Sequence, residues 1–149
     1  YAISSIGVFT FILSMEKDNI MLENISSYAG LSKSNPFYAV CLGILLLSMA
    51  GLPPLAGFIA KFYVFKAVIT SGYLLTAIIG IIGSVISAYY YLNIIKVMYL
   101  DDSDESFIVE SKVSMKIILF TSSLFILTFI IFADNIINFM TYISRAIIL

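Results

Sequence analysis

The feature that most constrains the fold is a break in the middle of the longest apolar run. Pro53 and Pro54 are adjacent there, with Gly51 and Gly57 on either side. Proline has no backbone N–H and clashes inside a helix, whereas glycine lets the chain bend or open. In lipid, backbone freed in this way is tolerated only where it is buried in protein or lines a wet cavity. The sequence therefore predicts a discontinuous helix at this point.

The composition indicates a membrane protein. Hydrophobic residues make up 61% of the chain and charged residues 11%, with a mean hydropathy of +1.06, far outside the range of soluble domains. A net charge of −1 without a basic run argues against a nucleic-acid partner. The single cysteine, Cys41, is expected to be a small buried hydrophobe. With no histidine, we expect no metal or haem site in this chain.

Three further apolar runs are candidate transmembrane segments: Tyr1–Met15, Leu74–Leu100 and Val113–Phe132. The first is only about 22 Å long as a helix, against a hydrocarbon core of roughly 30 Å. We therefore expect it to be the end of a longer helix that a lost segment or another chain completes. Apolar residues at helical spacing predict a short surface helix over 18–30, on the membrane or on neighbouring helices, with an amphipathic connecting loop as the alternative. The tail 133–149 is expected to continue as an amphipathic or partly embedded helix.

The central run Asn35–Ser71 leaves two architectures open. Its 37 residues would form a helix of roughly 55 Å, too long for one straight span. Cut at the prolines, it gives two pieces that are each a little short. The run is therefore a tight hairpin of two short spans or a single span broken in the middle. Periodicity does not decide between them, although the choice sets the side on which everything downstream lies.

Lys61 is the candidate functional residue, because it is the only charge between Asn35 and Phe65. A lysine at bilayer depth costs a few kcal/mol, and its default interpretation is a polar pathway. Desolvation lets a lysine exchange protons near neutral pH, as a proton relay requires. The competing interpretation is a structural lysine paired with a carboxylate. That partner would come from elsewhere, since 35–100 contains no Asp or Glu.

Other polar or small residues on the neighbouring helices are secondary candidates. Lys66 follows Lys61 on the same helix, and Tyr89 and Tyr90 belong to a tyrosine run that either anchors the interface or orders water. Gly80 begins a strip of small residues spaced four apart, which lets another helix approach closely. The favoured interpretation of that strip is helix packing without chemistry.

The blocks SMAGLPPLAGFIAKFYVFK at Ser48–Lys66 and SAYYYL at Ser87–Leu92 resemble the C-terminal part of an antiporter-like membrane subunit of NADH–quinone oxidoreductase, respiratory complex I. The resemblance implies an all-α, polytopic helix bundle with two inverted repeats and discontinuous helices. It favours the broken span, with its break near Gly51–Pro54. In that family the lysine of the block is the protonatable residue leading toward the exit side, which here is Lys61.

The resemblance also implies a function and its partners. The chain would help to translocate protons, coupled to electron transfer in other subunits that hold NADH, FMN, iron–sulfur clusters and quinone. Its partners would be other complex I membrane subunits and lipids, in the bacterial or mitochondrial inner membrane. The alternatives are a subunit of an Mrp-type cation/proton antiporter and a structural membrane subunit without a proton path.

The basic residues support one orientation if the central run crosses the membrane once. Five basic residues then flank one side of the membrane, which are Lys17, Lys33, Lys96, Lys112 and Lys116. Two flank the other side, Lys66 and Arg145. Because an excess of Lys and Arg marks the inner side, the side with five basic residues is expected to face the cytoplasm or matrix.

Overall fold

The computed structural model describes residues 1–17, 20, 21, 24–102 and 113–148. The chain forms an α-helical bundle with one minimal antiparallel strand pair, in which Glu16 lies opposite Met21. The elements in chain order are α1 (Ala2–Ser14), β1 (Glu16–Lys17), β2 (Ile20–Met21), a 3-10 helix (Ile25–Tyr28), α2 (Leu31–Ser34), α3 (Pro36–Ala50), α4 (Ala56–Thr70), α5 (Leu74–Leu100) and α6 (Val113–Ile148).

Helix α3 is the centre of the bundle, because α1, α5 and α6 all pack against it. Its residues Leu42, Leu45 and Leu46 are almost fully buried. Close packing depends on Gly7 of α1: a Cβ built there would lie 2.5 Å from Leu45 Cδ1 and 3.0 Å from Ser122 Cβ of α6. A small residue at this crossing lets three helix backbones approach one another.

The predicted surface helix over 18–30 is wrong for the residues that the structure describes. Ile20–Met21 forms β2, and Ile25–Tyr28 forms a 3-10 helix. Gly30, expected to end the helix, has a left-handed φ of 67° and precedes α2. Two features work against a helix here. Ser26 and Ser27 are weak helix formers, and Tyr28 is buried against Phe11, with ring centroids 5.9 Å apart. Tertiary packing therefore overrides the helical periodicity.

The central run is interrupted at residues 51–55, between α3 and α4. Gly51 ends α3 in the left-handed region, with φ 87°, as the prediction of a break requires. The peptide between Pro53 and Pro54 is cis. The chain then resumes helical structure at Ala56 and remains helical to Thr70.

Helix α5 shows that α3 and α4 form one broken span. Near its start α5 faces α4, because a Cβ built on Gly80 would lie 2.8 Å from Phe65 Cε1. Near its end α5 faces α3, because a Cβ built on Gly43 would lie 3.7 Å from Tyr99 Oη. From its start to its end, α5 therefore contacts first α4 and then the earlier helix α3, in the reverse of their order in the chain. One antiparallel helix therefore pairs with both halves, and the predicted discontinuous helix is confirmed.

The segment before α3 and the segment after α5 contact each other at one end of the bundle. The Gly30 N–H donates to the carbonyl oxygen of Asp101 at 2.9 Å, just beyond the end of α5. One residue further on, the Lys33 ammonium forms an ion pair with Asp102. The segments before α3 and after α5 therefore lie on one side, as the count of basic residues assumed.

The helix α5 occupies the predicted range and, among the described helices, is the one long and apolar enough to cross a membrane by itself. The bent helix α6 meets the same criterion if its two parts, Val113–Phe129 and Ile131–Ile143, are taken together; they differ in direction by 79°. Near its start α6 runs parallel to α3, since Phe37 stacks on Phe120 and the Ser123 hydroxyl donates to the Cys41 carbonyl oxygen. This direction fits one crossing by α3 and α4 followed by a return in α5.

Candidate functional site

Lys61 lies at the helix break, where its side chain reaches back from α4 to the end of α3. Its Nζ donates to the carbonyl oxygens of Met49 at 3.0 Å and Ala50 at 3.3 Å. The side chain is half-buried. A cation at this position also faces the negative end of the α3 dipole. The break therefore supplies the lysine with two acceptors and a favourable field.

All four carbonyl oxygens at the end of α3 are satisfied within the break. An α-helix leaves its last four carbonyls without intrahelical partners. Here Leu47 O accepts from the N–H groups of Gly51 and Leu52, and Ser48 O accepts from Gly51. Lys61 satisfies the other two. Because unsatisfied backbone is expensive in lipid, Lys61 is also part of what makes the break tolerable.

The two glycines of the predicted site make room for this contact. A Cβ built on Gly51 would lie 3.0 Å from Lys61 Cδ, and its positive φ already disfavours other residues. A Cβ built on Gly57 would overlap the carbonyl oxygen of Ser48 and lie 2.7 Å from its carbonyl carbon. The first turn of α4 is thus in backbone contact with the last turn of α3. Glycine is required at both positions, for conformation at the first and for space at the second.

Ser48 is a site residue that the sequence did not identify. It is 1% exposed, and its Oγ accepts the N–H of Gly57 at 3.1 Å. That N–H is one of the first-turn donors of α4, which have no intrahelical partner. The available signal was weak: Ser48 is a polar residue at the end of an apolar helix, but nothing in its spacing connects it to Gly57.

Pro53 and Pro54 form the exposed link between the two half-helices. Because neither has an N–H, the link contains fewer donors that require partners. The flanking donors are satisfied locally, since Leu52 N–H bonds to Leu47 O at 3.2 Å and Leu55 N–H to Leu52 O at 3.1 Å. The prolines thus support the break without contributing a polar group to the site.

The secondary candidates lie outside this cluster. Lys66 is exposed on α4, and the Tyr89 and Tyr90 side chains are 68% and 62% exposed on α5, with their rings 5.7 Å apart. The competing interpretation placed a carboxylate partner of Lys61 elsewhere; within the described part of the chain, no Asp or Glu forms an ion pair with Lys61. The ion pair of Asp102 with Lys33 is at the end of the bundle, where the lysine holds the pKa of that carboxyl below its usual value.

Comparison with known families gives a match over more than half of the chain. Residues 1–87 match the family described as "NADH:quinone oxidoreductase/Mrp antiporter, TM". The matched part includes α3, the break, α4 and the first half of α5, and therefore Lys61 and all its described partners.

Curated relatives with the name NADH-quinone oxidoreductase subunit N cover most of this chain. The protein of Paramagnetospirillum magneticum is 46% identical over 129 residues, which is 87% of this chain and 26% of the relative. That of Wolbachia sp. subsp. Brugia malayi is 43% identical over 140 residues, 94% of this chain and 27% of the relative. That of Pelagibacter ubique is 39% identical over 144 residues, which is 97% of this chain and 31% of the relative. The chain thus spans between a quarter and a third of these relatives.

Proposed function

The chain belongs to the family of NADH:quinone oxidoreductase and Mrp antiporter membrane proteins, and from this premise we propose that it is part of a proton-translocating subunit of NADH–quinone oxidoreductase. The names of the bacterial relatives support this assignment over other members of the family. The corresponding part is the C-terminal portion of subunit N, or of its mitochondrial counterpart, NADH–ubiquinone oxidoreductase chain 2. The location is then a bacterial or mitochondrial inner membrane.

The observation that supports the mechanism is the contact of Lys61 with the broken end of α3. Nζ is bound to two carbonyl oxygens, 3.0 and 3.3 Å away. A protonated lysine has three N–H donors, so one remains for a water molecule. The negative end of the α3 dipole also favours a cation at this position. A lysine that holds its ammonium on two acceptors and has one donor left for water is placed to pass a proton on.

In this proposal Lys61 receives a proton from elsewhere in the subunit and releases it through water toward the exit side. Gly51 and Gly57 keep the space that the side chain uses, and Pro53 and Pro54 hold the break open. Lys66, Tyr89 and Tyr90 remain candidates for ordering water at a greater distance. Electron transfer, with NADH, FMN, iron–sulfur clusters and quinone, takes place in partner subunits. Any carboxylate partner of Lys61 would come from the remainder of the subunit, in the same or another chain.

A structural role for Lys61 is the second candidate, because the same two hydrogen bonds satisfy carbonyls that lipid would leave unpaired. An Mrp-type cation/proton antiporter is the third, because the family description includes it. In that case Lys61 would exchange ions without NADH oxidation.

The test replaces Lys61 by two residues in the assembled complex in membrane vesicles. Lys61→Met removes both the charge and the donors, whereas Lys61→Gln keeps N–H donors for the carbonyls but does not carry a proton. We expect both variants to lower the rate of NADH-driven proton translocation, and the glutamine variant to assemble better. The control is Lys96→Gln, an exposed lysine near the end of α5 that has no part in the proposed path.

The outcomes separate the candidates. If Lys61→Gln assembles and translocates protons like the wild type, the lysine is structural and the proton-transfer role is wrong. If the complex lacks NADH oxidation but exchanges cations for protons, the antiporter assignment replaces the respiratory one.

A further inference from the structure

The contact between Ser48 and Gly57 fixes the geometry of the break next to Lys61. We propose that Ser48 is a positioning residue, whose hydroxyl holds the start of α4 on the end of α3 so that Lys61 Nζ stays on its two carbonyl acceptors. This inference rests on the proposed function for its effect on proton translocation, but not for its effect on the position of the lysine.

Ser48 and Gly57 lie close to Lys61 and its acceptors along both helices. Gly57 and Lys61 are four residues apart on α4 and share one face. Ser48 directly precedes Met49 and Ala50, the residues that accept from Lys61. One hydrogen bond of 3.1 Å from Gly57 N–H to Ser48 Oγ therefore joins the donor helix and the acceptor helix within one turn of the lysine.

The Ser48 hydroxyl has no easy replacement. The Ser48 side chain is 1% exposed, so removing Oγ leaves a space shielded from water beside the part-buried Gly57 N–H. A part-buried donor that loses its acceptor is destabilising, and the start of α4 is expected to move until the N–H finds another. Any such movement carries Lys61 away from Met49 O and Ala50 O, because four helical residues form a rigid link.

The experiment compares Ser48→Ala with Ser123→Ala in the assembled complex in membrane vesicles. Ser123 is the matched control: it is 3% exposed, and its hydroxyl bonds to Leu119 O at 2.8 Å and to Cys41 O at 3.2 Å, thus joining α6 to α3 away from the break. The first readout is the rate at which an acetylating N-hydroxysuccinimide ester modifies Lys61, followed by mass spectrometry. The second is the pH profile of NADH-driven proton translocation.

We expect Ser48→Ala to raise the acetylation rate of Lys61 about two- to fivefold, the factor expected when a cation loses a helix C-terminus. The pH profile of NADH-driven proton translocation should also change, because Lys61 no longer keeps its two carbonyl acceptors. Ser123→Ala should leave both readouts unchanged. A merely structural serine would lower the yield of complex without changing either profile.

An unchanged acetylation rate in Ser48→Ala overturns the positioning role, whatever happens to proton translocation. Faster acetylation with unchanged translocation keeps the positioning role and instead contradicts the proposed function of Lys61. If Ser48→Ala does not assemble, Ser48→Cys takes its place, since it keeps a side chain of similar shape but has only a weak sulfur acceptor. The same two criteria then apply to that variant.

Discussion

Replacing Gly57 by alanine tests the backbone contact between the two half-helices. The added Cβ would overlap the carbonyl oxygen of Ser48 and lie 2.7 Å from its carbon, well inside van der Waals contact. Because the obstacle is backbone, no rotamer change relieves it, and α4 must move away from α3 by about 1 Å or more. That movement also breaks the hydrogen bond from Gly57 N–H to Ser48 Oγ. We therefore expect an effect on both stability and the position of Lys61.

The magnitude follows from two contributions. Overpacking that forces a backbone shift destabilises by about 1–3 kcal/mol. The lost hydrogen bond adds about 1 kcal/mol, and more if the donor stays unsatisfied. The sum is about 2–4 kcal/mol, large compared with the slight gain in helix propensity from glycine to alanine. The assay is the fraction of the chain found in the full complex on a native gel after heating membranes through a temperature series.

Two other helical glycines provide controls of graded severity. A Cβ on Gly83 would meet nothing within 4 Å, so Gly83→Ala should be neutral or slightly stabilising. A Cβ on Gly80 would lie 2.8 Å from Phe65 Cε1, a side-chain atom that can turn away, so Gly80→Ala should be intermediate. If Gly57→Ala assembles as stably as Gly83→Ala, the half-helices are not in backbone contact and the account of the break is wrong.

Two further predictions concern the rest of the bundle. Lys33 lowers the pKa of Asp102, so the ion pair should stabilise the complex above about pH 4, the usual aspartate range, and lose this effect as the pH falls through the lowered value. Asp102→Asn should accordingly reduce heat resistance at pH 7, and this deficit should shrink as the pH falls through the lowered pKa of Asp102. A deficit that does not change with pH would contradict the ion-pair explanation. Leu45→Ala should destabilise the complex by about 2 kcal/mol or more, because the Leu45 side chain of α3 is 0% exposed and faces Gly7 of α1. Val85→Ala, on the exposed face of α5, should have little effect. If both variants lose the complex at the same temperature on native gels, Leu45 does not belong to a packed core.

The break was predictable because proline and glycine act locally. Missing N–H groups and a left-handed glycine interrupt a helix whatever surrounds it, so the sequence placed the interruption at Gly51–Pro54 and the structure has it at 51–55. The polar surroundings of Lys61 were predictable for a similar reason: one charge in a long apolar run needs polar partners wherever the helix lies.

The remaining features depended on contacts between distant residues. Hairpin and broken span have the same periodicity, and the choice between them required the register of α5 on Phe65 and Gly43. The acceptors of Lys61 are backbone carbonyls, which have no sequence signature. The error over 18–30 has the same origin, since the burial of Tyr28 against Phe11 outweighs the local pattern.

Because α5 is one continuous helix that contacts both halves of the broken span, it holds α3 and α4 in a fixed register across the break. Sliding α4 lengthwise against α3 would disturb the contacts of Gly80 and Tyr99 together with the hydrogen bond at Asp101. A swing or twist of α4 about the end of α3 disturbs fewer of them. We therefore expect the joint at Lys61 to resist sliding along the helix axis more than sideways motion of α4.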